Sequence, residues 1–381
     1  MDFDLSSEQS LLKETVDRWV ADTYGTLAQI EASRKAPLGF SEAAWLQLAD
    51  LGLLALPFSE ADGGFGGGPT ETLVAMEALG RGLVPEPYFA SVVLGGAAIR
   101  LAASSDQRQR LIPSLIDGSL RLAFAHGERQ ARYDLADVAT TARGIDGGFV
   151  LEGQKSVVLN ADTAGMLVVS ARTAGGQRDR AGISLFLVPT DASGVSLHSY
   201  GTHDGGRAAD ITLSGVHVPQ DALLGTEDEA FAVISRIIAG AIAALSAEAV
   251  GIMEALNALT VDYLKTRKQF GVPIGTFQVL QHRAVDMLVA LEQARSMELY
   301  AAMMAEAEDP VARDLAMSAA KVQINRSARF VAQQAVQLHG GIGMTMEYLG
   351  AHYFRRLTMI EMMFGDTPHH LRVVADAGGL A

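Results

Sequence analysis

The sequence predicts a mainly α-helical α+β protein in which a β domain lies between two helical domains. Helical periodicity dominates residues 1–118, short alternating runs follow in residues 119–225, and long apolar helical patterns return in residues 226–381. We therefore expect an N-terminal helical domain, a middle antiparallel β-barrel or sandwich domain, and a C-terminal four-helix bundle with these boundaries.

The composition excludes several classes of function. The chain has 381 residues, no cysteine and a formal net charge of −14. Without cysteine there are no disulfides, zinc–thiolate sites or thiol catalysis, and the negative charge argues against nucleic acid or an anionic membrane surface as a partner. The start MDFDLSSEQ is not a signal-peptide pattern, and the most apolar run contains Glu248, which favours a buried helix over a membrane span. We expect a soluble, cytoplasmic protein.

The helices of the N-terminal domain are predicted from their start signals. Ser6 and Gln9 form a capping-box pattern before a run of apolar positions, and a second helix is expected at about 41–51. Further helical patterns cover residues 70–81, 91–102 and 107–117. The glycine-dense loop 56–70 lacks the GxGxxG spacing, so it does not predict a dinucleotide-binding fingerprint.

The middle and C-terminal domains are predicted from two different periodicities. Eight short runs separated by turn residues predict strands at 122–125, 138–143, 149–151, 157–159, 166–170, 183–188, 196–198 and 211–218. Four long apolar patterns predict helices at roughly 227–266, 277–308, 310–338 and 346–362. Apolar residues run around much of each helix, as expected for a buried bundle.

A basic turn is predicted in the stretch RKQFGVPIGTFQVLQHRAVDM, residues 267–287. Lys265, Arg267 and Lys268 precede Gly and Pro residues that break the helix, and a new helix starts near Phe277. In such an acidic chain this turn indicates an anionic partner, since Arg267 and the N–H groups at the new helix start suit a phosphate or pyrophosphate. The alternative is an ordinary helix–turn–helix corner with a solvated basic edge.

A second candidate binding turn is QLHGGIGMT, residues 337–345, at the end of the third long helix pattern. Its glycines allow positive φ angles and a close approach of the backbone to a ligand. The alternative is that they only cap the helix and form a turn.

Glu248 is the candidate catalytic residue. It is the only charged side chain between Ile237 and Met253, in an otherwise apolar helix. A buried carboxylate is costly unless it is paired or neutral, and such a group is a general-base candidate. The alternative is that Glu248 lies on the solvent face of its helix.

Other familiar catalytic patterns are absent from the sequence. Asp366, between Gly365 and Thr367, suits the cap of a turn, and the pair His369–His370 lacks the further ligands of a metal site. The chain has no serine-elbow, Walker or HExxH motif.

Taken together, these stretches resemble the acyl-CoA dehydrogenase family. The most specific are RKQFGVPIGTFQVLQHRAVDM and QLHGGIGMTMEYLGAHYFRR, and DLSSEQSLLKETV, LPFSEADGGFGG and LEGQKSVVLNAD also fit, so the resemblance covers essentially the whole chain. It implies the three domains given above and an FAD between the β domain and the C-terminal bundle. It also implies a tetramer or dimer in which the FAD is shared across the dimer interface.

The resemblance assigns cofactor-binding roles to seven residues. These are Arg267, Gln269, Phe270, Gln278, Gln337, Gly341 and Thr367. The first three lie in the turn that contacts the neighbouring subunit's FAD, and Gln278 adds a contact to the same nucleotide. Gln337 and Gly341 match the turn that meets the pyrophosphate, and Thr367 follows the family's usual catalytic Y-E-G.

The sequence departs from the family at both usual positions of the catalytic base. Where many members have Y-E-G-T this chain has F-G-D-T, so Gly365 replaces the glutamate, and the base position of isovaleryl-type members is Ala241. Glu248 lies seven residues after Ala241, on the same face of the helix, so a carboxylate still reaches the same cleft. A glutamate at this point resembles the bacterial members that act on sterol or bile-acid side chains.

The strands that face the flavin in this family also differ here. The family's T-E-P-x-A-G-S-D is GERQARYD at residues 127–134, and its W-I-T-N is VVLN, which places Val157 and Leu159 where an aromatic residue and a flavin-bonding threonine are usual. Some sterol-type members are α2β2 complexes whose two chains divide the flavin-binding and catalytic residues.

The sequence therefore predicts FAD-dependent α,β-dehydrogenation of an acyl-CoA thioester. Glu248 removes the α-proton, hydride passes to flavin N5, and an electron-transfer flavoprotein accepts the electrons by resemblance. One alternative is a non-catalytic partner subunit, which Val157, Leu159 and Gly365 favour and Glu248 disfavours. Another alternative keeps the fold and uses oxygen as the acceptor.

Overall fold

The computed structural model describes residues 5–378. Its α-helices are α1 Ser7–Tyr24, α2 Leu27–Arg34, α3 Glu42–Asp50, α4 Pro69–Arg81, α5 Ala97–Ala102, α6 Ser105–Ile116, α7 Ala230–Thr266, α8 Gln278–Met304, α9 Pro310–His339, α10 Leu349–Met362 and α11 Thr367–Asp376. A π-helical segment, Phe89–Gly96, leads into α5. The strands are β1 Leu122–Ala125, β2 Thr141–Ile145, β3 Gly148–Leu159, β4 Met166–Arg172, β5 Ile183–Pro189, β6 Val195–Gly201, β7 Arg207–Pro219, β8 Leu223–Leu224, β9 Lys268–Gln269 and β10 Val272–Pro273.

The first helices begin where their capping signals predict. The Ser6 hydroxyl accepts a hydrogen bond from the Gln9 N–H at 3.1 Å, and the Gln9 side chain accepts one from the Ser6 N–H at 2.9 Å, which completes the capping box of α1. Ser41 caps α3 through its hydroxyl, which accepts a hydrogen bond from the N–H of Ala44 at 3.2 Å. Helix α2 was not predicted, because its eight residues carry only a weak apolar stripe.

The middle sheet has eight strands in the order β6-β7-β3-β2-β4-β5-β8, with β1 beside β4. Its pairs are antiparallel except that β1 runs parallel to β4 and β2 makes one parallel pair with it. Two predicted runs, 149–151 and 157–159, belong to the single strand β3, which carries register shifts at Leu151/Gly153 and Lys155/Val158. Buried aliphatic residues and the ring pair Phe149–Phe186 form the core beneath it.

The long C-terminal helices follow the predicted patterns closely. Helix α7 is long and apolar enough to cross a membrane, but 72% of its most apolar window is buried inside the protein, as in the core helix of a folded domain. Helix α11 was not predicted as a separate element. The Asp366 side chain accepts a hydrogen bond from the His369 N–H at 2.9 Å, so this residue caps a helix rather than an isolated turn.

Contacts divide the described chain into two compact units. One contains residues 5–33, 69–84 and 242–378, and the other contains residues 34–68 and 85–241. The first unit is helical apart from the pair β9 and β10, and the second holds the eight-stranded sheet with α3, α5, α6, the π-helical segment and the start of α7. The two domain boundaries expected from the sequence, after residues 118 and 225, stay a prediction.

Candidate active site and cofactor-binding turns

The basic turn after α7 is a small β-hairpin. Strands β9 and β10 are joined by Phe270 at φ +52° and Gly271 at φ +82°, the two positive φ angles that a tight hairpin turn of this hand requires. Phenylalanine rarely adopts this conformation, and its side chain is 91% exposed here. A strained turn that presents an aromatic ring to solvent indicates a contact surface.

The other predicted residues of this turn are also exposed. Arg267 and Gln269 lie in the hairpin, and Gln278 is the first residue of α8, directly after the cap residue Phe277. The guanidinium and the two amides are therefore available to an anionic ligand beside a helix N-terminus.

The turn at the end of α9 is built to approach a ligand closely. Gln337 and Gly341 are both exposed, Gly340 has φ +63°, and a Cβ added to Gly341 would meet nothing within 4 Å. This open backbone suits a bulky anionic group such as a pyrophosphate.

His339 holds this turn in place through contacts of both its ring nitrogens. The ring is buried; Nδ1 lies 2.8 Å from the Ala335 carbonyl and Nε2 lies 2.6 Å from the Tyr348 hydroxyl. The carbonyl can only accept, so Nδ1 donates and Nε2 accepts from Tyr348. Burial lowers the pKa of His339 and raises the pKa of Tyr348 to about 12, so both groups are neutral near pH 7.

The structure brings the two turns together through the same histidine. The ring centroid of Tyr263 lies 4.6 Å from that of His339. Tyr263 is one helical turn before Arg267, whose N–H donates to the Tyr263 carbonyl at 2.9 Å. The hairpin and the glycine turn thus form one composite surface, which we call the cofactor turns: residues 267–278 and 337–344.

Glu248 is buried and paired. It is 8% exposed, so the solvent-face alternative is wrong. Nε of Arg356 donates to one carboxylate oxygen at 2.5 Å and Nη2 donates to the other at 2.8 Å, a bidentate ion pair between α7 and α10. Arg356 supplies the compensating charge that a buried carboxylate requires.

Glu248 and the cofactor turns lie far apart along α7. Glu248 precedes the last residue of the helix, Thr266, by 18 residues, which corresponds to about 27 Å of helix. One chain therefore carries the candidate base and the cofactor turns at two separate places.

The loop that carries the catalytic glutamate in many family members has no room for a side chain at this position in the present chain. Gly365 has φ +125°, and a Cβ at this position would lie 2.2 Å from Nε2 of His370 and 2.8 Å from Cδ2 of His369. His370 is itself buried between the Ser318 hydroxyl and the Phe364 carbonyl, both 3.1 Å from its ring nitrogens. Thr367 begins α11 directly after this loop.

We expect Gly365→Glu to destabilise the protein and to create no new base. The backbone conformation alone costs about 1–3 kcal/mol for a side chain, and the collision with His370 adds to it. Urea unfolding and turnover of the double variant Glu248→Gln/Gly365→Glu test this. The control is Gly147→Glu, because Gly147 has φ +78° but open space around it. Restored turnover in the double variant would contradict the expectation.

Strand β3 is strained where the family places its flavin-facing residues. Val157 has φ +55° and is 56% exposed, and its N–H donates to the Asp210 carboxylate at 3.0 Å. Positive φ in a β-branched residue is rare and persists only where the surroundings enforce it. Asp210 also accepts from the Tyr200 hydroxyl at 3.0 Å, and Leu159, two residues on, is half-buried.

A buried ion pair between Lys155, a residue of β3, and Glu128 stabilises this strand. Nζ of Lys155 lies 2.6 Å from a Glu128 oxygen and 3.0 Å from the Ser170 hydroxyl. Glu128 also accepts from the N–H groups of Ala139 and Thr140, at 2.8 and 3.1 Å. Burial alone would raise the pKa of Glu128, but the charge and hydrogen bond of Lys155 and the bonds from Gln130 and Thr140 lower it to about 2.

Sequence reasoning missed three residues that organise the site: Arg356, His339 and Tyr348. A buried Glu248 requires a cationic partner, so the sequence indicates that an arginine or lysine lies nearby. It does not identify Arg356 as that partner, because the two residues are 108 positions apart. His339 lies within the predicted glycine turn, and its bonding pattern becomes visible only with Tyr348 in place.

Comparison with known proteins identifies the family. Models of the acyl-CoA dehydrogenase N-terminal, middle and C-terminal domains match residues 6–119, 123–216 and 231–379. The probable acyl-CoA dehydrogenase YngJ of Bacillus subtilis (strain 168) is 30% identical over 383 residues, 98% of this chain and 99% of the relative.

Two solved structures share the whole fold. A variant of the Tcur3481-Tcur3483 steroid ACAD has a TM-score of 0.86 and 30% identity over 98% of this chain and 99% of its own. The FAD complex of PigA has a TM-score of 0.90 and 27% identity over 100% of both chains. The three family models match the chain in order from its N-terminal to its C-terminal domain, which defines it as an oxidoreductase of the acyl-CoA dehydrogenase class. The chain belongs to the acyl-CoA dehydrogenase family, which confirms the predicted resemblance and fold class.

Proposed function

We propose that the protein is an FAD-dependent oxidoreductase that introduces a double bond between Cα and Cβ of an acyl-CoA thioester. Membership of the family along the whole chain supports the class of reaction, and the FAD complex of PigA supports the cofactor. The observation that carries the catalytic role is the buried carboxylate of Glu248 on a helix that is otherwise apolar around it.

The cofactor turns fit FAD in their donor chemistry. Arg267, Gln269, Gln278 and Gln337 offer exposed cationic and amide groups, and Gly341 leaves open space above its backbone. Phe270 offers a ring for apolar contact, and Thr367 stands at the start of α11. When bound, FAD supplies the acceptor for a hydride at N5.

Glu248 acts as the general base in this proposal. An ionised carboxylate has about four lone-pair sites, and Arg356 occupies two of them, so lone pairs remain for a proton. The α C–H bond breaks and its proton passes to a Glu248 oxygen. The β-hydrogen would leave with two electrons as hydride, and bound FAD would supply the two-electron acceptor that balances the oxidation of the substrate. Arg356 holds the carboxylate in place with two hydrogen bonds and supplies the positive charge that pairs with it.

The proposal includes an oligomer in which a neighbouring chain's FAD contacts these turns. Exposed apolar side chains on α8, among them Val285, Leu288 and Val289, suit a subunit interface. The distance of about 27 Å between Glu248 and the end of α7 agrees with the two serving different sites. A homodimer, homotetramer or α2β2 complex satisfies these features. The steroid ACAD neighbour is named for two proteins, Tcur3481 and Tcur3483, which supports the last form and a steroid side-chain thioester as substrate.

The remaining parts of the proposal follow from the family. An electron-transfer flavoprotein would serve as the final electron acceptor, and the protein works in the cytoplasm. The acidic composition of the chain agrees with a protein in aqueous solution.

A second candidate function is that of a non-catalytic partner subunit that completes the FAD site of another chain. The closed loop at Gly365 and the apolar Val157 and Leu159 support it, because the usual base and the usual flavin contacts are replaced. The buried ion pair of Glu248 has no evident use in this alternative.

The absorption spectrum of the purified chain, followed by an acyl-CoA panel, tests the proposal. We expect near-stoichiometric flavin and anaerobic bleaching by at least one of butyryl-CoA, isobutyryl-CoA and a steroid side-chain CoA thioester. A colourless chain that restores flavin binding to a homologous partner would support the second function. Oxygen consumption during turnover would identify oxygen as the acceptor.

A further inference from the structure

The backbones of α4 and α7 touch at two glycines next to Glu248. A Cβ added to Gly80 would lie 2.4 Å from the Glu248 carbonyl oxygen and 2.9 Å from its Cα and Cγ. A Cβ added to Gly251 would lie 1.9 Å from the Glu77 carbonyl oxygen. Each helix thus carries the pattern Glu-x-x-Gly, and the glycine of one packs on the glutamate of the other. We call this the glycine crossing: Glu77, Gly80, Glu248 and Gly251.

The crossing fixes the start of the Glu248 side chain. A Cβ at Gly80 would lie 2.9 Å from both Cα and Cγ of Glu248, so the Gly80 backbone is close to this side chain and leaves it little room to turn toward α4. Its carboxylate extends instead to Arg356 on α10, where two hydrogen bonds hold it. The side chain is therefore constrained at both ends.

Helix α10 is joined to the same crossing. The Tyr353 hydroxyl donates to the carbonyl of Arg81, the last residue of α4, at 2.7 Å. Tyr353 and Arg356 are three residues apart and so share one face of α10. This bond sets the position of α10 relative to α4, and with it the position of the guanidinium.

Arg81 and Arg295 are shared by two nearby carboxylates, those of Glu77 and Glu254. Glu77 accepts from Arg295 at 2.8 Å, and Glu254 accepts from Arg81 at 2.5 Å. Arg356 pairs with Glu248, while Arg81 and Arg295 pair with Glu77 and Glu254.

We infer that Gly80 and Arg356 are positioning residues for Glu248: the first fixes where its side chain starts, and the second fixes where its carboxylate ends. This inference rests on the proposed role of Glu248 as the base. An added methyl group at Gly80 would have to move from 2.4 Å to an ordinary contact of 3.4 Å, a shift of about 1 Å. A displacement of about 1 Å at a reacting group costs about 100-fold in rate.

The test compares flavin-loaded Gly80→Ala and Arg356→Lys enzymes with wild type, using the best substrate of the panel and its α-deuterated form. We expect kcat per bound flavin to fall about 100-fold in Gly80→Ala. In Arg356→Lys we expect a fall of about tenfold, the effect of one lost charge-assisted hydrogen bond. In both variants the α-deuterium isotope effect on kcat rises, because proton abstraction becomes more rate-limiting.

The control is Gly144→Ala, because a Cβ at Gly144 meets nothing within 4 Å. A fall in kcat with an unchanged isotope effect, or rates equal to the control, overturns the inference. If Gly80→Ala does not fold, the result for Arg356→Lys alone decides the test.

The variant Glu248→Gln distinguishes a failure of the base assignment from a failure of the positioning inference. If it turns over normally, the base assignment fails. If it is inactive while both positioning variants match the control, only the positioning inference fails.

Discussion

Replacing Glu248 by glutamine is expected to lower kcat by about 10²–10⁴-fold, the usual contribution of a general base. Glutamine has nearly the same shape but cannot take up the α-proton. Turnover should be measured per bound flavin, so that any loss of folded protein does not enter the rate. The flavin content per chain should remain that of the wild type, since Glu248 is not among the residues assigned to FAD binding.

Glu254→Gln is the matched control for this variant. Glu254 lies on the same helix, and its carboxylate accepts hydrogen bonds from Arg81. The substitution therefore makes the same chemical change and also breaks an ion pair with arginine. We expect it to leave kcat unchanged. Wild-type turnover in flavin-loaded Glu248→Gln would contradict the base assignment.

Much of the helical architecture was predictable because its signals are local. The Ser6–Gln9 capping box and the breaking of α7 near Phe270 and Gly271 depend on neighbours within a few residues. The register shifts of β3 were not predictable, because they depend on the strand's pairing with β7. For the same reason two runs of alternating residues were predicted where one long strand exists.

The candidate site was predictable in its residues but not in its contacts. Burial of Glu248 could be inferred from the apolar sequence around it, whereas its partner Arg356 lies 108 residues away on another helix. The closure of the Gly365 loop depends on a φ angle and on the position of His370, and no periodicity encodes either. The role of Gly80 follows only from the packing of two helices.

Replacing Glu128 by glutamine is expected to lower the free energy of unfolding by about 3–5 kcal/mol, because it leaves the Lys155 ammonium buried without its counter-charge. Lys155 is 0% exposed, so water cannot replace the carboxylate. Glutamine also offers a single acceptor oxygen to the N–H groups of Ala139 and Thr140, which now bond to both carboxylate oxygens. Urea unfolding at pH 7, followed by circular dichroism, measures the loss.

The double variant Glu128→Gln/Lys155→Met is the control, because it removes the stranded charge together with its partner. We expect it to recover a substantial part of the lost stability.

The pH dependence of the unfolding free energy gives an independent check. The Glu128 pKa is about 2 in the folded protein against an ordinary value of 4.5, so the stability it contributes is complete above pH 4.5 and is lost as the pH falls toward 2. Glu128→Gln should therefore flatten the fall in unfolding free energy over this window. An equally steep fall, or a loss below about 1 kcal/mol at pH 7, would show that this ion pair does not stabilise the sheet behind Val157.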